Sequence, residues 1–252
     1  MIKLINLTKI YKGIKAVDDL NIEVERGKVF GFLGPNGAGK TTTIKMMAGV
    51  LKPTYGSIII NGKDIAKYPS EVKLSTGFIP DRPFLYEKLT GLEFLKFIAG
   101  LYRTDRYPSN HYNIMELLEI FELDHWCDEM IESYSHGMKQ RLVMCSALLH
   151  KPKVLIVDEP MVGLDPKGAR LVKDVFREQG ANGTTVFMST HSLEVAEDLC
   201  QEVAIIQAGK ILAKGSPKEI QKEAGIDGDL ENIFLKLTDG RRIASERSLS
   251  TS

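Results

Sequence analysis

Gly34-Pro35-Asn36-Gly37-Ala38-Gly39-Lys40-Thr41 follows a short apolar run, Val29–Leu33, and leads into a helical pattern that should reach about Ala48. The spacing is G-x-x-x-x-G-K-S/T, the P-loop pattern. Glycines in such a run let the backbone curl until successive N–H groups face one point, and the helix start adds partial positive charge there. That cradle suits a polyphosphate. Lys40 would reach the outer phosphates as a point charge, the Thr41 hydroxyl would bind Mg²⁺, and Thr42 is expected among the nucleotide-binding positions. A second apolar run, Val154–Val157, ends in Asp158-Glu159. Adjacent carboxylates after a strand point different ways, so one can face the metal while the other polarises an attacking water. Asp158 is thus the expected metal ligand and Glu159 the expected base. Standing alone, Asp-Glu-Pro would be an ordinary polar turn; the P-loop upstream gives it this reading.

These residues need a scaffold of alternating strands and helices, and the chain supplies one. Lys3–Leu7 and Leu20–Val24 alternate like half-exposed antiparallel strands. Ser57–Ile60 ends at Asn61-Gly62, a hairpin signal. Thr76–Ile79, Thr185–Met188 and Val203–Ile206 are further strand segments, and Ala208-Gly209 turns into Ile211–Ala213. From about Arg82 to His150 no strand pattern appears. There Thr90 and Glu93 form a capping box before Phe94, a second helix is expected near Asn113–Phe121, and a third from about Gly137 to Leu149. Asp165-Pro166 and Ser216-Pro217 with Glu219 mark two more helix starts. The expected fold is α/β. The expected division is a catalytic core at 1–81 and 151–237, a helical part at about 82–150, and a flexible tail at 238–252.

Composition excludes several classes. The 252 residues carry 33 basic and 33 acidic side chains, so no excess positive charge is available for nucleic acid. At 43% hydrophobic the chain has ample surface for a core. Its apolar runs fall far short of the roughly 20 residues a spanning helix needs. The N-terminus lacks a signal core. The three cysteines, Cys127, Cys145 and Cys200, have neither metal nor redox spacing, which fits a reducing compartment.

Other segments narrow the reading. Tyr134-Ser135-His136-Gly137-Met138-Lys139-Gln140-Arg141, at the start of an apolar helix before Asp158, resembles the signature motif of ATP-binding-cassette (ABC) ATPases, usually Leu-Ser-Gly-Gly-Gln. Gly163-Leu164-Asp165 resembles that family's D-loop. His191 stands where its switch histidine belongs, and Tyr11 where an aromatic stacks on adenine. The resemblance spans about residues 1–237. It implies a P-loop NTPase core of the ABC type, with an N-terminal antiparallel β part and a helical subdomain insertion. It also implies Mg-dependent hydrolysis of ATP, and a head-to-tail dimer in which Ser135 and Gly137 close on the partner's nucleotide. It implies separate membrane permease subunits, docking near Phe84, Leu85, Tyr86 and Leu92–Phe97, and a cytoplasmic location on the inner face of the membrane. The short reach beyond Ile206 is similar to exporter- or multidrug-type subunits. A soluble ABC-type ATPase acting on nucleic acid or ribosomes is the alternative. A kinase or GTPase fits less well, because the chain lacks an Asn-Lys-x-Asp guanine motif.

Two positions depart from the family pattern. His136 and Met138 replace a glycine and the glutamine of the signature, while Ser135 and Gly137 remain. Asp81, after Pro80, stands where the family has a glutamine that touches Mg²⁺ or the attacking water. A carboxylate there would still bind Mg²⁺, but it is shorter and charged.

Overall fold

The structure is a computed structural model that describes residues 1–82, 84–102, 113–224 and 231–236. Strands β1 (Ile2–Tyr11) and β2 (Ile14–Val24) form one long antiparallel hairpin. The sequence pattern suggested shorter strands because bulges break the alternation between Leu4 and Leu7 and again up to Ile10. Asn6 and Asp19 take positive φ at these irregularities, and the Asn6 side chain donates to the Asp19 carboxylate at 2.8 Å. β1 also pairs with β4 (Tyr55–Ile60), which turns through Asn61-Gly62 into β5 (Lys63–Asp64). Both turn residues have positive φ, 51° and 78°, as a two-residue hairpin requires.

The remaining strands make a sheet of order β10-β9-β3-β8-β7-β6. Its members are β3 (Val29–Leu33), β6 (Thr76–Ile79), β7 (Val154–Asp158), β8 (Thr185–Thr190), β9 (Glu202–Gln207) and β10 (Lys210–Gly215). All neighbours are parallel except the β9–β10 hairpin. β3, β7 and β8 are buried along their whole length. Their side chains alternate between two cores. Phe30, Phe32, Val154, Ile156 and Phe187 face the four-stranded sheet and α1 (Lys40–Met47). Leu33, Leu155, Val157, Val186 and Met188 face the other side, where the core is shared with the helical segment.

That segment carries α3 (Gly91–Leu101), α4 (Ile114–Ile120) and α5 (His136–Leu148), with two short 3₁₀ turns at Asp124–Trp126 and Ile131–Ser133. The expected Thr90–Glu93 box is in place on α3, and Asn113 caps α4 and Ser135 caps α5. Asp165 caps α6 (Pro166–Ala181), and Ser216 with Glu219 opens α8 (Pro217–Ala224). Two helices had no sequence expectation, α2 (Pro69–Leu74) and α7 (Leu193–Leu199). At six and seven residues they are too short to show a period. The expected tail at 238–252 lies outside the described residues. No helix among the described residues is long and apolar enough to cross a membrane.

Candidate nucleotide site

Four neighbouring parallel strands deliver the expected chemistry from their carboxyl ends, where open α/β sheets bind ligands. The P-loop follows β3, His191 follows β8, Asp158 ends β7 and Asp81 comes just after β6. Strand register sets their heights, with Leu33 opposite Thr190, Asp158 opposite Ser189 and Ile79 opposite Val157.

The P-loop wraps a cavity of about 270 Å³ lined by Pro35, Asn36, Gly37, Gly39, Lys40, Thr41, Thr42, Ala16, Asp81 and Glu159. Gly39 caps α1 with φ of 109°, and a Cβ on it would lie 2.4 Å from the Ala16 carbonyl. No other residue fits that spot. Lys40 is only 6% exposed. Its ammonium folds back to donate to the Gly34 carbonyl at 2.6 Å and to that of Pro35 at 3.3 Å, and it lies 3.5 Å from a Glu159 oxygen. Gly34 and Ala38 belong to the loop without lining the cavity.

The two adjacent carboxylates do separate. Asp158 is buried and accepts from the Ser189 and Thr41 hydroxyls. Burial holds its carboxyl above the usual carboxylate range; the Ser189 and Thr41 hydrogen bonds oppose that, while the charges of Asp81 and Glu159 add to it. Glu159 sits in the left-handed region at φ of 49°, an uncommon conformation for a non-glycine residue. Its N–H donates to the Ser189 carbonyl and hydroxyl, each at 3.2 Å, which pins the turn. One carboxylate oxygen accepts from His191 Nδ1 at 2.8 Å and from the His191 N–H at 3.3 Å. A carboxylate only accepts, so Nδ1 carries the proton of that bond.

Tyr11 ends β1, 45% exposed, with the Lys9 ammonium 5.3 Å from its ring centre; it is not on the cavity wall. Ser135 and Gly137 also lie away from that wall. Ser135 Oγ accepts from the Met138 N–H at 3.2 Å, and Gly137 lies against Leu164. Two residues had no place in the sequence reading. Ser189 holds both acidic residues, and its signal is the change from apolar Val186–Met188 to Ser189-Thr190 just before His191. Ala16 lines the cavity from β2, and no chemical signal marks it.

Few side chains could hold a metal alone: no three His, Cys, Asp or Glu among the described residues converge tightly enough. The donors present are the hard oxygens of Thr41 and Asp158, with Asp81 and Glu159 nearby. That set fits Mg²⁺, which keeps few protein ligands and shares the rest with phosphate oxygens and water.

A phosphate loop, a buried acidic strand end and a doubly wound sheet define a P-loop nucleoside triphosphatase. Comparison with known proteins narrows the class. The family model described as ABC transporter matches residues 17–162. The bacitracin transport ATP-binding protein BcrA of Bacillus licheniformis is 42% identical over 219 residues, 84% of this chain and 68% of that one. The daunorubicin/doxorubicin resistance ATP-binding protein DrrA of Streptomyces peucetius is 35% identical over 246 residues, 97% of this chain and 73% of that one. A solved ATP-binding subunit of an ABC transporter superposes with a TM-score of 0.87 at 33% identity, covering 94% of this chain and 99% of that chain. The chain belongs to the ABC transporter family, as one of its ATP-binding and ATP-hydrolysing subunits. The alternative of an ABC-type ATPase acting on nucleic acid gains no support from these matches.

Proposed function

We propose that the cavity beside the P-loop binds ATP with Mg²⁺, that Glu159 is the base for its hydrolysis, and that the resulting switch drives separate membrane-spanning subunits. One observation carries the reading: Glu159 is held between His191 Nδ1 at 2.8 Å and the Lys40 ammonium at 3.5 Å, on the wall of the P-loop cavity. The assignment divides the work among named groups. P-loop N–H groups and the start of α1 hold the phosphates. Lys40 gives up its contacts with the Gly34 and Pro35 carbonyls and turns to the outer phosphates. Thr41 and Asp158 would hold Mg²⁺, which neutralises charge on the phosphate oxygens when bound. Glu159 takes the proton of the attacking water, and His191 fixes the direction of that carboxylate. Tyr11, exposed at the end of β1, is assigned to the adenine ring.

Ser135 and Gly137 are assigned to the nucleotide of a second subunit. Their place away from this chain's own cavity supports that assignment, since a head-to-tail dimer would supply the missing contacts. The partner subunits are integral membrane permeases, and the chain works peripherally on the inner face of the membrane. Relatives named for bacitracin transport and for drug resistance favour an exporter-type machine. The 1–81 and 151–237 segments form the catalytic core in this reading, and 82–150 the signature subdomain.

The test is Glu159→Gln. The amide keeps the size and accepts hydrogen bonds but is no base. ATP affinity by calorimetry should stay within about threefold, turnover should fall about 10²-fold or more, and ATP should now hold a stable dimer in size-exclusion chromatography. Turnover near that of the wild type would remove Glu159 as the base.

A further inference from the structure

We propose that Asp81 strengthens the dependence of ATP binding by this chain on a divalent cation, by opposing entry of the metal-free triphosphate. The inference rests on the P-loop cavity being the ATP site.

Charge on the cavity wall is the starting point. Among the described residues that line it, Lys40 is the cation, and Asp81 and Glu159 are the carboxylates. Asp158 is buried at the end of β7, where it accepts from the Ser189 hydroxyl. The cavity wall thus carries two carboxylates and one ammonium, with the buried Asp158 next in the chain to Glu159. That ammonium already lies 3.5 Å from Glu159. Among the described residues Asp81 makes no ion pair. Its neighbour Arg82 is exposed and is not on the cavity wall. Asp81 is thus an uncompensated negative charge on the path of a polyanion.

The position of Asp81 is fixed by the sheet. β6 pairs with β7 in parallel register, Ile79 opposite Val157, so the chain leaving β6 runs beside the Asp158-Glu159 turn. A divalent cation cancels part of the triphosphate's charge and offers the carboxylate a local positive centre, so Asp81 opposes the loaded nucleotide far less than the bare one. No three-residue metal cluster exists among the described residues, so the cation arrives with the nucleotide. Metal and nucleotide then bind as a unit, and Asp81 enlarges the difference between MgATP and ATP. A neutral glutamine or asparagine at this position lacks that discrimination. A unit charge on the cavity wall, screened by solvent on its exposed side, changes affinity for a polyanion by about tenfold.

The experiment is calorimetric titration with ATP in Mg²⁺ and in EDTA, on the wild-type chain and on Asp81→Asn, Asp81→Gln and Asp81→Glu. Asp81 is exposed, so each variant should fold, and thermal melts check this. Expected is a large loss of affinity in EDTA for the wild type and Asp81→Glu. For Asp81→Asn and Asp81→Gln, affinity in EDTA should rise about tenfold while affinity in Mg²⁺ stays equal or falls. The same EDTA penalty in Asp81→Asn, Asp81→Gln and wild type overturns the proposal. Lys40→Ala separates the two levels. If that variant binds ATP as the wild type does in both buffers, the P-loop reading itself fails; if it loses ATP in Mg²⁺, that reading stands whatever Asp81 does.

Discussion

Asp158 accepts from Ser189 and Thr41 and still has a raised pKa, because burial costs a charge more than two hydroxyl bonds restore. The consequence for stability has a definite sign. An unfolded aspartate loses its proton near pH 3.9. The folded protein holds that proton to higher pH. Between the two values the folded state binds more protons than the unfolded one, so stability falls as pH rises and the loss persists at neutral pH. Asp158→Asn removes the buried charge. The nucleotide-free variant should therefore melt a few degrees higher than wild type at pH 7, by about 1 kcal/mol, with the difference shrinking toward pH 4. MgATP should then add far less to its melting temperature than it adds to wild type. A lower melting temperature at pH 7 in the absence of nucleotide would contradict this account. The pair Asp158-Glu159 could be named from sequence because strand-end carboxylates after an apolar run have few uses beside a P-loop. Its environment could not. Ser189 and His191 lie about thirty residues downstream and meet the pair only through the parallel register of β7 and β8.

The turn before α6 and the start of α5 touch at one point. Gly163 has φ of 79°, and a Cβ on it would lie 2.3 Å from His136 Cδ2 and 2.7 Å from His136 Nε2. The histidine that replaces a signature glycine therefore rests directly on the turn carrying Leu164 and Asp165. Gly163→Ala should be costly twice, through strained backbone and through displacement of the imidazole. We expect a loss of about 1–2 kcal/mol in chemical denaturation, ATP affinity near normal, and reduced turnover. Adding His136→Ala should restore part of the stability, since only the backbone strain then remains. If the double variant is as unstable as the sum of the singles, the two residues are not coupled. Elements of this size were legible where caps announce them. Asp165, the Thr90–Glu93 box and Ser216 with Glu219 each mark a helix start that the structure contains. α2 and α7 were not legible, because six or seven residues hold too few apolar positions to show a period. The split into two sheets was only half legible. The strand segments stand out one by one, but the order β10-β9-β3-β8-β7-β6 pairs residues as far apart as Phe30 and Glu202, and no local pattern records such pairing.

At the scale of the whole molecule, the described surface carries an open cluster of aromatic rings. Phe84, Tyr86 and Phe97 are 84%, 51% and 44% exposed. Their rings meet edge to face, with centroids 6.2 Å apart for Phe84–Tyr86 and 5.7 Å for Tyr86–Phe97. Leu85 and Leu92 turn inward and pack on the helical core, so part of the apolar cluster read from sequence is ordinary packing. The exposed part has no such role in the isolated chain, and clustered exposed aromatics mark interaction sites. The segment is also tied to the signature helix. Lys139 donates to the Glu87 carboxylate at 2.6 Å, and the N–H groups of Glu132 and Ile131 donate to the Glu87 and Leu89 carbonyls at 3.0 and 2.9 Å. A permease seated on the aromatics would thus push on the element that begins at Ser135, while Asp81 at the other end of the segment lies in the nucleotide cavity. Replacing Phe84 and Tyr86 together by serine separates docking from folding. Both side chains are exposed, so the melting temperature should move little, by about 0.5 kcal/mol at most, and ATP affinity should be unchanged. Binding to the membrane partner should be lost. In sedimentation of membranes from cells that make the protein, the wild-type chain should pellet and the double variant should stay in the supernatant. Equal pelleting of the two would place the permease contact elsewhere on the chain.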